Sequence, residues 1–221
     1  MSPLLSRVAE DLMRSPLRGP LARAHVLWIT CNERLLAVDT RARISDRPGS
    51  GPADSMHGDG FWYAPPDYRY LRRMMRILRP GPEDVFYDIG SGMGRVLCVA
   101  ARWRIKRVVG IELDRPLCDI ARRNADRMRG RHAPIDVRCE DASTADLSDG
   151  NIYFLHNPFG PKTMRDVLES IHRSLADRPR SVRIVYHNSA YEELMRSCEW
   201  IELTDVFTTL PGHRVTFWTA S

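Results

Sequence analysis

The chain has 221 residues, of which 43% are hydrophobic and 28% charged. A chain of this size can bury about 70–75% of its unfolded surface, which excludes disordered, collagen-like and disulfide-stapled classes. The formal charge is +5, and all of the excess lies in residues 1–80, where 13 Arg face 8 acids, so the basic balance is local and does not by itself make a nucleic-acid binder.

The first fifteen residues mix Arg7 and Arg14 with Glu10 and Asp11 and lack the order of a secretory signal. The apolar stretch from His25 to Thr30 is far shorter than the ~20 residues of a membrane span. A cytoplasmic protein without membrane contact is expected. The five cysteines, Cys31, Cys98, Cys118, Cys139 and Cys198, form no C-x-x-C pair and read as small buried hydrophobes.

In chain order, an apolar set (Val26, Leu27, Ile29, Leu35, Leu36, Val38) predicts one helix over Pro20 to about Ile44. The Pro- and Gly-rich run from Asp46 to Gly60 predicts a loop, which divides a helical extension (1–60) from a main domain (61–221). Past the aromatic cluster Phe61, Trp62 and Tyr63, residues Leu71, Met74, Met75 and Leu78 mark the buried stripe of a helix from Pro66 to Leu78, with Arg69, Arg72, Arg73 and Arg76 on another stripe.

From Glu83 the pattern alternates. DVFYDIG, RVVGIE, IDVRC, NIYFL and VRIVYH read as strands. Helices are predicted over about Arg95 to Trp103, Arg115 to Met128, Lys162 to Leu175 and Tyr191 to Ser197. WIELTDVFTTL and HRVTFWTA, separated by Pro211 and Gly212, read as a closing antiparallel hairpin. The fold class is therefore α/β, with a sheet of about seven strands, mostly parallel, and a helical N-terminal extension.

The sharpest motif is Asp88-Ile89-Gly90-Ser91-Gly92-Met93-Gly94-Arg95, where the first strand ends and a helix begins. Glycines there let the backbone bend tightly against a nucleotide-like ligand. The third glycine of the dinucleotide fingerprint comes one residue early and Arg95 stands in its place, which argues against NAD.

D-x-G-x-G-x-G followed by an acid ending the next strand resembles the class I S-adenosylmethionine (SAM) methyltransferases, over about residues 83 to 221. The resemblance implies a Rossmann-like doubly wound sheet, SAM as cofactor and S-adenosylhomocysteine as product. It places Gly90, Ser91, Gly92 and Gly94 under the methionine and ribose, with Asp88 ordering the loop and facing the cofactor's ammonium group. Glu112, 22 residues beyond Gly90, would accept the ribose hydroxyls. Leu113 would pack on the adenine, Asp141 would accept its amino group, and Ala142 would supply a backbone donor. Tyr63 would sit near the methionine end. Phe61, Trp62 and Tyr63 either close over the cofactor with His57 or anchor the extension.

Asn157-Pro158-Phe159-Gly160, after the fourth strand, is similar to the [D/N]-P-P-[F/Y] signature of amino-methylating members, with one proline missing. Asn157 would orient the acceptor and also border the cofactor. Pro158, Phe159, His156, Phe61 and Trp62 would line the acceptor side. His187, in YHNS, is the better-placed candidate base should the acceptor be an oxygen, with His156 as the other.

The expected activity is methyl transfer to a nitrogen or oxygen of a small-molecule, peptide or protein side-chain acceptor. YDIGSGMGRVLCVAA, VVGIEL and IYFLHNPF also echo the non-SET histone-methylating family, so a protein lysine N-methyltransferase is one alternative. A catalytically silent SAM-binding partner module is another. Nucleic acid is not expected as a partner, no metal site is read, and acceptor identity and oligomeric state are not legible.

Overall fold

The computed structural model describes residues 19–41, 65–156, 159–210 and 212–220. Thirteen elements follow in order: α1 (Gly19–Leu36), α2 (Tyr68–Leu78), β1 (Val85–Ile89), α3 (Arg95–Ala100), β2 (Arg107–Glu112), α4 (Arg115–Arg127), β3 (Ile135–Cys139), β4 (Ile152–Leu155), α5 (Pro161–Asp177), β5 (Val182–His187), α6 (Glu192–Arg196), β6 (Glu202–Thr208) and β7 (Arg214–Ala220).

The strands form one seven-stranded sheet in the order β3-β2-β1-β4-β5-β7-β6. β1 to β5 run parallel and β7 is antiparallel to both β5 and β6. This is the doubly wound α/β architecture that the alternating pattern predicts. Strand order reverses at β1, between β2 and β4, and open α/β sheets bind ligands beyond the carboxyl ends of the strands at such a reversal.

Side-chain alternation along the strands splits the core in two. Phe86, Val108, Phe154, Val185 and Phe217 pack on the face covered by α2 and α3 and the buried side of α4, together with Leu36 and Val38. Tyr87, Ile111, Tyr153, Ile184 and Trp218 pack on the other face with Met164, Leu168 and Ile171 of α5. Each face buries apolar area worth about 25 cal/mol per Å², which makes the sheet the rigid platform of the molecule.

Local chemistry sets the helix ends. Asp67 caps α2 by accepting the Arg69 N–H at 2.7 Å, and left-handed Arg79 closes it with its N–H on the Met75 carbonyl. Asp114 caps α4 through the Leu117 N–H at 3.0 Å, with Pro116 in the first turn.

Two predicted helices end early. α1 stops at Leu36, not near Ile44, because Ala37 takes φ 57° and the Val38 N–H folds back on the Glu33 carbonyl. α3 stops at Ala100 rather than Trp103, where the Ala101 carbonyl turns aside to accept the N–H groups of His132 and Ala133. The expected division near residue 60 falls outside the described residues. Among the described residues no helix is long and apolar enough to cross a membrane.

Candidate active site at the carboxyl edge of the sheet

The loop that leaves β1 is built on three left-handed glycines, Gly90 (φ 81°), Gly92 (φ 53°) and Gly94 (φ 81°). The N–H groups of Gly90 and Ser91 both bond the Ile111 carbonyl at 2.9 Å, and Gly94 closes the turn on Ser91. At Gly94 a side chain would also meet the Cβ of Ala121 at 3.2 Å, so α4 packs where a Cβ would stand.

Glu112, at the end of β2, spans this loop. One carboxylate oxygen accepts the Gly92 N–H at 2.8 Å and the other accepts the Asp114 N–H at 2.9 Å. Burial raises its pKa above the ordinary value, opposed by those backbone donors. Asp88 is 2% exposed, and its pKa is pushed well up, first by burial and then by the Glu112 charge. Its Oδ2 and the Ser91 Oγ are buried without a hydrogen-bond partner among the described residues.

Two uncompensated polar atoms beside a backbone cradle cost stability unless a ligand completes them. Among the described residues no cation offsets the burial of Asp88 and the charge of Glu112 beside it. A ligand with an ammonium group and a vicinal diol fits this donor set, since Glu112 retains lone pairs after its two backbone bonds.

The residues expected on the adenine side lie alongside. Leu113, just past the end of β2, is 47% exposed. β3 ends next to it, Cys139 being paired with Glu112, and the Glu140 N–H bonds the Glu112 carbonyl. Asp141 is exposed and closes its own turn by accepting the N–H and hydroxyl of Ser143 at 2.8 Å, and half-buried Ala142 packs on the α5 side of the core.

On the other side of the reversal, Leu155 pairs with Ile89 of β1 and with Tyr186 of β5, so His156 and His187 follow at the same edge as the glycine loop. Their rings meet edge to face at 4.4 Å, and His213 stands 6.0 Å from His187. His187 is 3% exposed, and neither ring nitrogen has a partner among the described residues. Burial, then His156 and His213, push its pKa down to about 3, and burial and His213 push His156 down to about 4. Both are neutral at physiological pH. Phe159 is 7% exposed and sits in the apolar cluster with Met164 and Tyr186.

Asn157, Pro158, Phe61, Trp62, Tyr63 and His57 lie outside the described residues. The structure brings Asp88, Gly90, Ser91, Gly92, Gly94, Glu112 and Leu113 into one wall, with Asp141 and Ala142 beyond β3 and His156 and His187 across the reversal. No group of three metal-ligating side chains occurs among the described residues.

Two contributors were missed from the sequence. Gly110, inside β2, leaves room for Ser91, since a Cβ there would meet the Leu97 Cδ1 at 2.6 Å and the Ser91 Oγ at 2.8 Å. Asn124 of α4 donates to the Met93 carbonyl within the loop at 2.9 Å. A glycine in a strand interior is a sequence sign of close approach; nothing local marks Asn124.

Residues 62–145 match the family model described as histone methylation protein DOT1. A protein-lysine N-methyltransferase of Saccharolobus islandicus (strain REY15A) is 36% identical over 53 residues, 24% of this chain and 33% of that protein. A histone-lysine N-methyltransferase of Dictyostelium discoideum, H3 lysine-79 specific, is 30% identical over 112 aligned positions, covering 45% of this chain and 6% of that one. The chain thus spans a third or less of the length of these curated relatives. Among solved structures, an RNA methyltransferase from Salinibacter ruber in complex with S-adenosyl-L-homocysteine is 26% identical, with a TM-score of 0.53 over 71% of this chain and 94% of that one.

Proposed function

We propose that this chain, which has the fold of the class I SAM-dependent methyltransferases, binds SAM along the β1–β2 edge and transfers its methyl group to an amine nitrogen. The observation that carries the reading is the glycine loop held by Glu112 at the strand-order reversal, with Asp88 Oδ2 and Ser91 Oγ left to be completed by a ligand. Asp88 would face the ammonium group, Glu112 the ribose hydroxyls, Leu113 the adenine face, and Asp141 and Ala142 its polar edge. SAM supplies a methyl group already activated on a positively charged sulfur.

With the donor activated, the protein's work is alignment and exclusion of water, worth about 7–11 kcal/mol at its upper range. The glycine backbone and Glu112 fix one reactant. Asn157, carried over from the resemblance, would accept a hydrogen of the acceptor amine and aim its lone pair, with Pro158 and Phe159 beside it. His156 and His187 bring no positive charge to the place where a cationic donor and an amine would meet. As such weak bases they are poorly suited to ionising an alcohol, and this favours nitrogen over oxygen.

Both curated relatives bear names of lysine methyltransferases, which favours a protein lysine as the acceptor over a small molecule. The likeness to an RNA methyltransferase keeps nucleic acid as the second reading. Tyr63 and the aromatic pair Phe61 and Trp62 are proposed to border the methionine end and the acceptor.

The test is calorimetric titration of the folded chain with S-adenosylhomocysteine and, separately, with NAD. Micromolar binding of the first alone is expected. Transfer of label from SAM to mixed peptides and to RNA then separates the two acceptor readings. Folded protein that binds NAD, or neither ligand, would remove the proposal.

A further inference from the structure

Residues 38–41 continue past α1 as a short strap, and two buried polar side chains fasten it to the glycine loop. Arg95, which follows Gly94 and opens α3, is 3% exposed. Its Nε donates to Thr40 Oγ1 at 2.7 Å, its Nη2 to Glu33 Oε1 at 3.2 Å, and its Nη1 to the Pro66 carbonyl at 3.2 Å. The guanidinium lies 4.8 Å from the centre of the Tyr68 ring. Glu33, equally buried on α1, also accepts the Tyr68 hydroxyl at 2.8 Å and, on its other oxygen, the Thr40 N–H at 2.8 Å.

Asn124 fastens the strap from α4. Its Oδ1 accepts the Asp39 N–H at 2.9 Å, while its Nδ2 donates to the carbonyls of Asp39 and Met93, both at 2.9 Å. Met93 and Arg95 are the two neighbours of Gly94, so the strap is tied to the loop on both sides of its last glycine.

We infer that Arg95 and Asn124 are positioning residues for the cofactor, and that α1 with the strap is a working part of the cofactor site rather than a detachable extension. The inference rests on the SAM reading above. Three glycines give the loop backbone freedom that must be removed before it can cradle a ligand. Packing alone could be served by apolar side chains at less desolvation cost than a buried Arg–Glu pair. The pair and the Asn124 fork instead fix directions, each donor having its own acceptor, and the backbone they direct is that of Met93, Gly94 and Arg95.

The test uses the full chain carrying Thr40→Val, Asn124→Ala or Arg95→Lys, with three readouts: S-adenosylhomocysteine affinity, thermal unfolding, and amide hydrogen exchange of the loop without ligand. Each variant is expected to bind about tenfold or more weakly at a temperature where its circular dichroism matches the parent. Exchange at Gly92, Met93 and Gly94 should quicken. Arg95→Lys should not rescue, because one ammonium cannot serve three separated acceptors in the guanidinium's directions. Should Arg95→Lys fail to fold, Thr40→Val and Asn124→Ala carry the test, since both leave the Arg95–Glu33 pair in place.

A lowered melting temperature with affinity within about threefold of the parent would reduce these residues to packing and overturn the inference. If the folded parent binds no S-adenosylhomocysteine, the SAM reading fails, and the exchange readout still decides the coupling. Unchanged loop exchange in the variants would then overturn it as well.

Discussion

Replacing Glu112 by Gln separates geometry from size. In the folded chain each carboxylate oxygen takes one backbone N–H, from Gly92 at 2.8 Å and from Asp114 at 2.9 Å. Gln offers one oxygen and one NH2, so one of those bonds becomes donor against donor. Hydrogen bonds to a charged group are worth about 1.5–3 kcal/mol each, and water reaches this half-buried side chain, so the lower end applies. The net loss should be about 1.5 kcal/mol, before the ribose hydroxyls lose a charged acceptor. By the usual conversion this is about tenfold or more in affinity for S-adenosylhomocysteine. Calorimetric titration measures it directly, and Glu112→Ala should lose at least as much. A Gln variant that binds within about threefold of the parent would show that Glu112 neither orders the loop nor meets the ligand, and would refute the reasoning.

Asp88 predicts a pH dependence. Its folded pKa is raised, so the free protein loses stability as pH climbs from the ordinary carboxylate pKa through the raised one, and a bound ammonium would favour the ionised form. Affinity for S-adenosylhomocysteine should therefore rise with pH through that window and level off above it, and Asp88→Asn should flatten the titration profile; parallel profiles would count against the assignment. His187 has the opposite sign: with a folded pKa of about 3, its contribution is present above about pH 6.5 and is lost as pH falls toward 3. His187→Phe, which also removes two buried unpartnered nitrogens, should shift acid unfolding to lower pH in circular dichroism, and an unmoved midpoint would speak against it. Gly110→Ala should cost about 1–3 kcal/mol, each of which lowers the melting temperature by about 2–4 °C in a chain of this size. It should also weaken binding through Ser91, and a variant as stable as the parent would contradict the close approach.

The sequence made the sheet legible because its signals are local: apolar runs of strand length, helix-period stripes, and glycines at one strand end. The order of β1 to β5 and the hairpin of β6 and β7 follow from such runs. The wall from Asp88 to Leu113 was legible because its residues fall at strand ends in a fixed order. What escaped reading depends on partners distant in the chain. Arg95 read only as a departure from a glycine pattern, since Glu33 stands 62 residues away and Thr40 55. The end of α1 at Leu36 was equally hidden, because the strap that follows is held by Asn124, 85 residues from Asp39. The neutrality of His187 comes from burial between strands and from two other histidines, which no spacing encodes.

The place of β7 bears on how the molecule is made. This strand follows β6 in the chain, yet it lies between β5 and β6 and is the neighbour of both. Until residue 220 has left the ribosome, β5 presents an open edge and β6 has nothing to pair with, while β1 to β4 already have their neighbours. A chain halted before Arg214 would expose the backbone of β5 together with Val185 and the rest of its apolar row, a template for pairing with other chains. Folding of this half is thus deferred until β7 has been made, and His187 at the tip of β5 acquires its buried setting only when Val215, its partner across the ladder, arrives.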